Sequence, residues 1–262
     1  MMNGVVSIHS SRGGTGKSLI AVNLAATYAK QGMNVSLIDF DFRAPSLNTV
    51  FDISKMEYSV NDFLNGQCPI EDVLIDLSGK YRTKGKFFIG VADPSLEAIR
   101  DMISKSRKWE IEALKKLLNL KSDLDNLKIN YAIYDTSPGI LYSSINAVTS
   151  SDLSLIVLTL DKLDIKGTQR MIRDIYDAFE KKTLILVNKA FPEMTPLSED
   201  ENKRMLHRIE SELKKKIICE IPCFCDVLAA SRNTIFALEK PEHAFTESLE
   251  ALAQELTKAM NT

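Results

Sequence analysis

Residues 10–18 read S-S-R-G-G-T-G-K-S, and their types and spacing suit them to holding a chain of phosphates. Gly13, Gly14 and Gly16 let the backbone take up φ > 0 and approach an anion closely. The N–H groups of Ser11, Arg12, Gly13, Gly14, Thr15, Gly16, Lys17 and Ser18 lead into a helix start, where donors and positive potential gather. Lys17 would reach the β- and γ-phosphates, and the Ser18 hydroxyl would ligate Mg²⁺. The strict pattern G-x-x-x-x-G-K-[ST] is not met, because Ser11 stands where the first glycine belongs and Arg12 precedes the glycine pair.

Three carboxylates fall where such a loop needs them. L-I-D-F-D ends one apolar run with Asp39 and Asp41, and Y-D-T-S-P-G ends another with Asp135. Asp135 fits the carboxylate that holds the hydration shell of Mg²⁺, and the loop after it could sense a γ-phosphate. Asp39 could help position the same ion, which leaves Asp41 to orient an attacking water. The base has its own signal in V-N-K. A guanine reader, N-K-x-D, would need an acid at 191, where phenylalanine stands. Asn188 can both donate and accept at an adenine edge, with Pro222 and Asp226 as the neighbouring wall, so ATP is favoured over GTP.

The elements that position these groups alternate along the chain. Unbroken apolar runs predict strands near 4–10, 34–39, 87–92, 130–135, 153–159, 183–188 and 217–221. Helical patterns fall near 17–31, 94–124, 143–149, 166–181, 198–216, 227–234 and 245–260, with a capping box from Ser198 and Glu201. Alternating units of this kind specify an α/β, three-layer, doubly wound and mostly parallel sheet with helices on both faces. One domain over 1–262 is expected, with the irregular stretch 53–86 capping a sheet edge. A net charge of −2, from 33 basic and 35 acidic residues, sets up no global field toward nucleic acid or anionic lipid. With neither a leader nor a 20-residue apolar run legible, a cytoplasmic protein is expected. The four cysteines do not show the C-x₂-C spacing of common metal sites and read as small buried hydrophobes.

R-G-G-T-G-K-S at 12–18, L-I-D-F-D at 37–41, Y-D-T-S-P-G at 134–139, V-N-K at 187–189 and I-P-x-x-x-D at 221–226 together resemble the MinD/ParA family, the deviant Walker-A branch of P-loop ATPases. The resemblance runs nearly the full length. It implies ATP and Mg²⁺ as ligands, and a homodimer in the ATP state that reopens on hydrolysis. It also implies Asp41 as the hydrolytic carboxylate, Asp39 near the metal, and Lys17 and Arg12 as catalytic cations. Arg12 occupies a position usually held by a lysine that crosses to the partner's phosphates. The function so implied is an ATP-hydrolysing dimerisation switch that positions or regulates a cargo through an unidentified protein partner. The alternatives are a non-hydrolysing ATP-binding adaptor and an iron–sulfur carrier. The last helix, with Glu247, Glu250 and Glu255 on its polar face, argues against direct membrane binding and reads as core packing. Lys203, Arg204, Arg208 and 214–216 on one helix, with Lys80, Arg82, Lys84 and Lys86, are the candidate contacts should DNA be bound.

Overall fold

The computed structural model describes residues 2–190, 198–230 and 234–261. Eight strands form one sheet: β1 (Gly4–His9), β2 (Val35–Phe40), β3 (Ile75–Asp76), β4 (Phe87–Gly90), β5 (Tyr131–Thr136), β6 (Leu153–Leu158), β7 (Thr183–Ala190) and β8 (Ile217–Pro222). Their spatial order is β3-β4-β2-β5-β1-β6-β7-β8, and every pairing is parallel except β3 with β4. Every residue of β1, β2, β5 and β6 is buried, because helices cover both faces and an unbroken apolar run suits such a strand.

On one face, the helix Lys17–Lys30 packs with the terminal helix Ala244–Met260 through Ile20, Leu24, Leu249, Leu252 and Leu256. The opposite face is covered by the helix Arg107–Asn126, which seats Leu117, Leu120 and Leu124 against Ile38 and Tyr134. A third apolar cluster joins Ile172, Tyr176, Ile209 and Leu213 to β6 and β7. The terminal helix is therefore a core helix, as its stripe predicts, and the Tyr28 hydroxyl donates to its Ala253 carbonyl at 3.1 Å. Among the described residues, no helix is long and apolar enough to cross a membrane.

Some boundaries differ from expectation for local reasons. The helix expected at 94–124 is two helices, Leu96–Ile103 and Arg107–Asn126, since the Ser106 hydroxyl accepts from the Trp109 N–H and starts the second. The helix expected at 166–181 begins earlier, at Lys162, where Asp161 caps the N–H groups of Leu163 and Asp164. It ends in a π-helical segment, Ile172–Tyr176. Near 227–234 the structure forms a short helix, Cys225–Ala229, and residues 231–233 lie outside the described residues. Ser198 and Glu201 form the expected capping box. The irregular stretch contributes β3 and short helices at one sheet edge.

In this strand order β1 lies between β5 and β6, while the chain leaves it for β2 on the far side of β5. The crevice at the carboxyl ends of β1, β2 and β5 is where ligands collect in such sheets.

Candidate nucleotide-binding site

The glycine loop leaves β1 at His9 and enters its helix at Lys17, with Gly14 at φ +81° and Gly16 at φ +97°. Residues with a Cβ are strained at such angles, so glycine is required at both. The helix has no side-chain N-cap and no acidic residue in its first turn. Its first N–H groups thus await an outside acceptor, and an anion there gains from the helix dipole. Thr15 Oγ1 lies buried beside them without a hydrogen-bond partner. Two side chains from the end of β7 brace the loop, and one of them, Lys189, also lines the cavity beside it. Asn188 Nδ2 donates to the Thr15 carbonyl at 2.8 Å, and Lys189 Nζ donates to the Gly14 carbonyl at 2.8 Å.

Lys17 is 7% exposed. Burial draws its proton affinity down, while the charges of Asp135, Asp41 and Asp164 oppose that fall. Asp39 and Asp135 are register partners across β2 and β5, both fully buried. Burial first, and the neighbouring Asp135 charge second, raise the Asp39 carboxyl well above the ordinary carboxylate range. Asp39 accepts N–H bonds from Asp41 at 2.9 Å and from Ser46 and Leu47 at 3.4 Å. Asp41 stands at the cavity wall, where its Oδ1 accepts from Ser137 Oγ at 2.7 Å and from the N–H groups of Arg43 and Ala44. Asp39 and Asp135 are two buried carboxylates side by side, Ser18 lies on the cavity wall, and a divalent cation would relieve the repulsion between the carboxylates. The residues present fit Mg²⁺.

A cavity of about 830 Å³ opens above this floor. Gly13, Gly14, Gly16, Lys17, Ser18 and Asp41 line its polar end. Leu19, Val22, Val227, Leu228 and Phe236 line an apolar end that the sequence did not single out. Val227 and Leu228 come from the short helix beyond β8 and Phe236 from the helix Phe236–Glu239, and no motif marks either.

Several expected residues stand just outside the lining. Asn188 is buried with its nitrogen committed to the loop, and Pro222 pairs in register with Ala190 at the end of β8. Asp226 turns outward to His243 Nε2 at 2.9 Å. Ser11 Oγ donates to Asp164 Oδ1 at 2.7 Å, so the residue in the glycine position ties the loop to the helix Lys162–Met171. Arg12 is half exposed and pairs with Asp161 at 2.8 Å, outside its own cavity. The structure thus places Lys17, Ser18 and Asp41 on the cavity wall, sets Asp39 and Asp135 side by side behind that lining, and leaves Arg12 outside it.

A phosphate-ready loop between a buried parallel strand and an uncapped helix, with carboxylates at the ends of two neighbouring strands, defines a P-loop nucleotide-binding protein. An AAA domain family model, AAA_31, matches residues 3–188. The septum site-determining protein MinD of Thermotoga maritima is 26% identical over 258 residues, covering 97% of this chain and 88% of that protein. The fold is similar to that of the cell division ATPase MinD of Pyrococcus furiosus, with a TM-score of 0.76 at 19% identity over 98% of this chain and 99% of that one. It is also similar to MinD of Pyrococcus horikoshii complexed with Mg-ADP, with a TM-score of 0.73 at 19% identity over 96% and 95% of the two chains. The chain belongs to the MinD/ParA family of P-loop ATPases.

Proposed function

We propose that this protein binds ATP with Mg²⁺ and hydrolyses it slowly, as a dimerisation switch that positions or regulates a cellular cargo. The observation that carries this reading is Lys17, buried at the start of the helix after the glycine loop, where the charges of Asp135, Asp41 and Asp164 favour its protonated form. The loop N–H groups and Lys17 hold the phosphates, and Ser18 with Asp39 and Asp135 holds the metal and its waters. The metal, when bound, neutralises charge on the β- and γ-phosphates. Asp41, steadied by Ser137, orients the attacking water. The apolar end of the cavity takes the base. Arg12 acts on the nucleotide of a second subunit, and its place on the rim with an exposed guanidinium supports that role. Exposed Lys203, Arg204 and Arg208 on the helix Glu199–Leu213 are the sites at which DNA would be tested. In the other basic stretch Lys80 donates to the Phe51 carbonyl and Lys86 pairs with Asp76.

The test is sizing chromatography with ATP on two variants. Lys17→Ala abolishes ATP binding, whereas Asp41→Ala retains binding and accumulates an ATP-bound dimer. An Asp41→Ala protein that stays monomeric at saturating ATP overturns the switch. Phosphate release at background from the unaltered protein, with and without DNA or liposomes, would identify an ATP-binding adaptor instead.

A further inference from the structure

His9 is the last residue of β1 and is completely buried, as is Tyr176. Both ring nitrogens of His9 are engaged. Nδ1 lies 2.5 Å from the Tyr176 hydroxyl and Nε2 lies 3.0 Å from the Gly139 carbonyl oxygen. A carbonyl can only accept, so Nε2 carries the proton. Nδ1 is then the acceptor, and the Tyr176 hydroxyl donates to it. The result is a chain of fixed polarity: Tyr176 O–H to His9 Nδ1, then His9 Nε2–H to the Gly139 carbonyl. Burial lowers the His9 pKa to about 4, which keeps the ring neutral, as this chain requires.

Each end of the chain is anchored. Tyr176 closes the π-helical segment Ile172–Tyr176, and π-helical turns concentrate at functional sites. The helix before it is tied to the glycine loop through Ser11 and Asp164. At the other end, Gly139 sits at φ +77° and its N–H donates to the Ser10 carbonyl at 2.8 Å. Two residues earlier, Ser137 donates to Asp41 Oδ1, and Ser144 Oγ holds the Ser137 carbonyl at 2.8 Å. The segment 137–139 is therefore hung between a contact to Asp41 and a contact to His9.

We infer that His9 is a positioning residue for ATP hydrolysis, acting with Tyr176 to hold the 137–139 segment so that Ser137 keeps Asp41 aimed at the attacking water. The inference rests on the hydrolytic role proposed for Asp41. His9 touches neither nucleotide nor water, and its effect passes through the Gly139 carbonyl. Tyr176 fixes the tautomer: without its hydroxyl, a proton on Nδ1 turns an unprotonated Nε2 toward the carbonyl, and the segment loses the tether at the Gly139 carbonyl while its bonds to Ser10 and Ser144 remain.

The first measurement is the ¹⁵N spectrum of the histidine ring in the full chain. It is expected to show protonated Nε2 and bare Nδ1 in the unaltered protein, and a mixture of tautomers in Tyr176→Phe. The second is steady-state hydrolysis. Tyr176→Phe and His9→Phe are each expected to lower kcat about tenfold, on the scale set by a misplacement of about 1 Å, which can cost about a hundredfold. KM for ATP stays within about twofold, and His9→Gln, which keeps a donor, restores part of kcat. Thermal unfolding of Tyr176→Phe identifies a variant that has merely failed to fold, and the tautomer spectrum of the unaltered protein then decides. A ring protonated at Nδ1 overturns the inference, as does full kcat in a folded Tyr176→Phe protein. No turnover in the unaltered protein would instead overturn the hydrolytic reading, and the tautomer would still be read independently.

Discussion

Lowering the pH from 8 to 5 tests the burial of His9 directly. Its ring has a pKa of about 4 in the folded protein against 6.5 for the free side chain, with desolvation as the largest cause. The unfolded chain therefore binds a proton between these values and the folded chain does not. Stability contributed by this group is complete above 6.5 and is lost as pH falls through 6.5 toward 4. At pH 5 nearly every unfolded ring is protonated and nearly every folded one neutral, so the loss is about 2 kcal/mol. Urea unfolding at pH 8 and pH 5, for the unaltered protein and for His9→Gln, isolates the contribution, because the other groups titrate in both. The unaltered protein should lose about 2 kcal/mol more than the variant across this range. Equal losses, read from the shift of the unfolding midpoint at constant m so that extrapolation error does not enter, would refute the buried neutral histidine.

Asp39 titrates with the opposite sign. Its folded pKa is raised, so its contribution is complete below the ordinary carboxylate range and is lost as pH rises toward the folded value. Without Mg²⁺, Asp39→Asn should flatten that fall, and adding Mg²⁺ should stabilise the unaltered protein more than the variant, both read from unfolding midpoints. In Gly16→Ala the new Cβ would overlap Asn188 Nδ2 at a backbone angle of φ +97°. About 1–2 kcal/mol of backbone strain and about 1–3 kcal/mol from the displaced Asn188–Thr15 bond are expected. Urea unfolding reads the sum, with ATP binding falling in parallel.

What could be read from residues alone was the part written in local chemistry. The glycine loop, Lys17, and Asp39, Asp41 and Asp135 at strand ends are local signals, and the parallel sheet follows from unbroken strands separated by helices. The pairing of Asp39 with Asp135 depends on strand order, since nothing near either residue says that β2 lies beside β5. The apolar cavity wall was hidden because Val227, Leu228 and Phe236 look like any other core residues. His9 had no motif at all, and its partners lie 130 and 167 positions away along the chain. The helix break at Ser104 was signalled by Ser106, a capping residue lost inside a longer apolar period.

The position of β1 in the middle of the sheet has a consequence for synthesis. Gly4 pairs with Tyr131, and the next neighbour of β1 begins at Leu153. At roughly 5–20 residues per second, β1 is made about ten seconds before either partner exists. During that interval its apolar residues and backbone donors are uncovered, and the glycine loop has no floor of carboxylates and no apolar wall. The cavity wall is complete only once Phe236 has been added, so nucleotide binding follows the assembly of the sheet rather than guiding it.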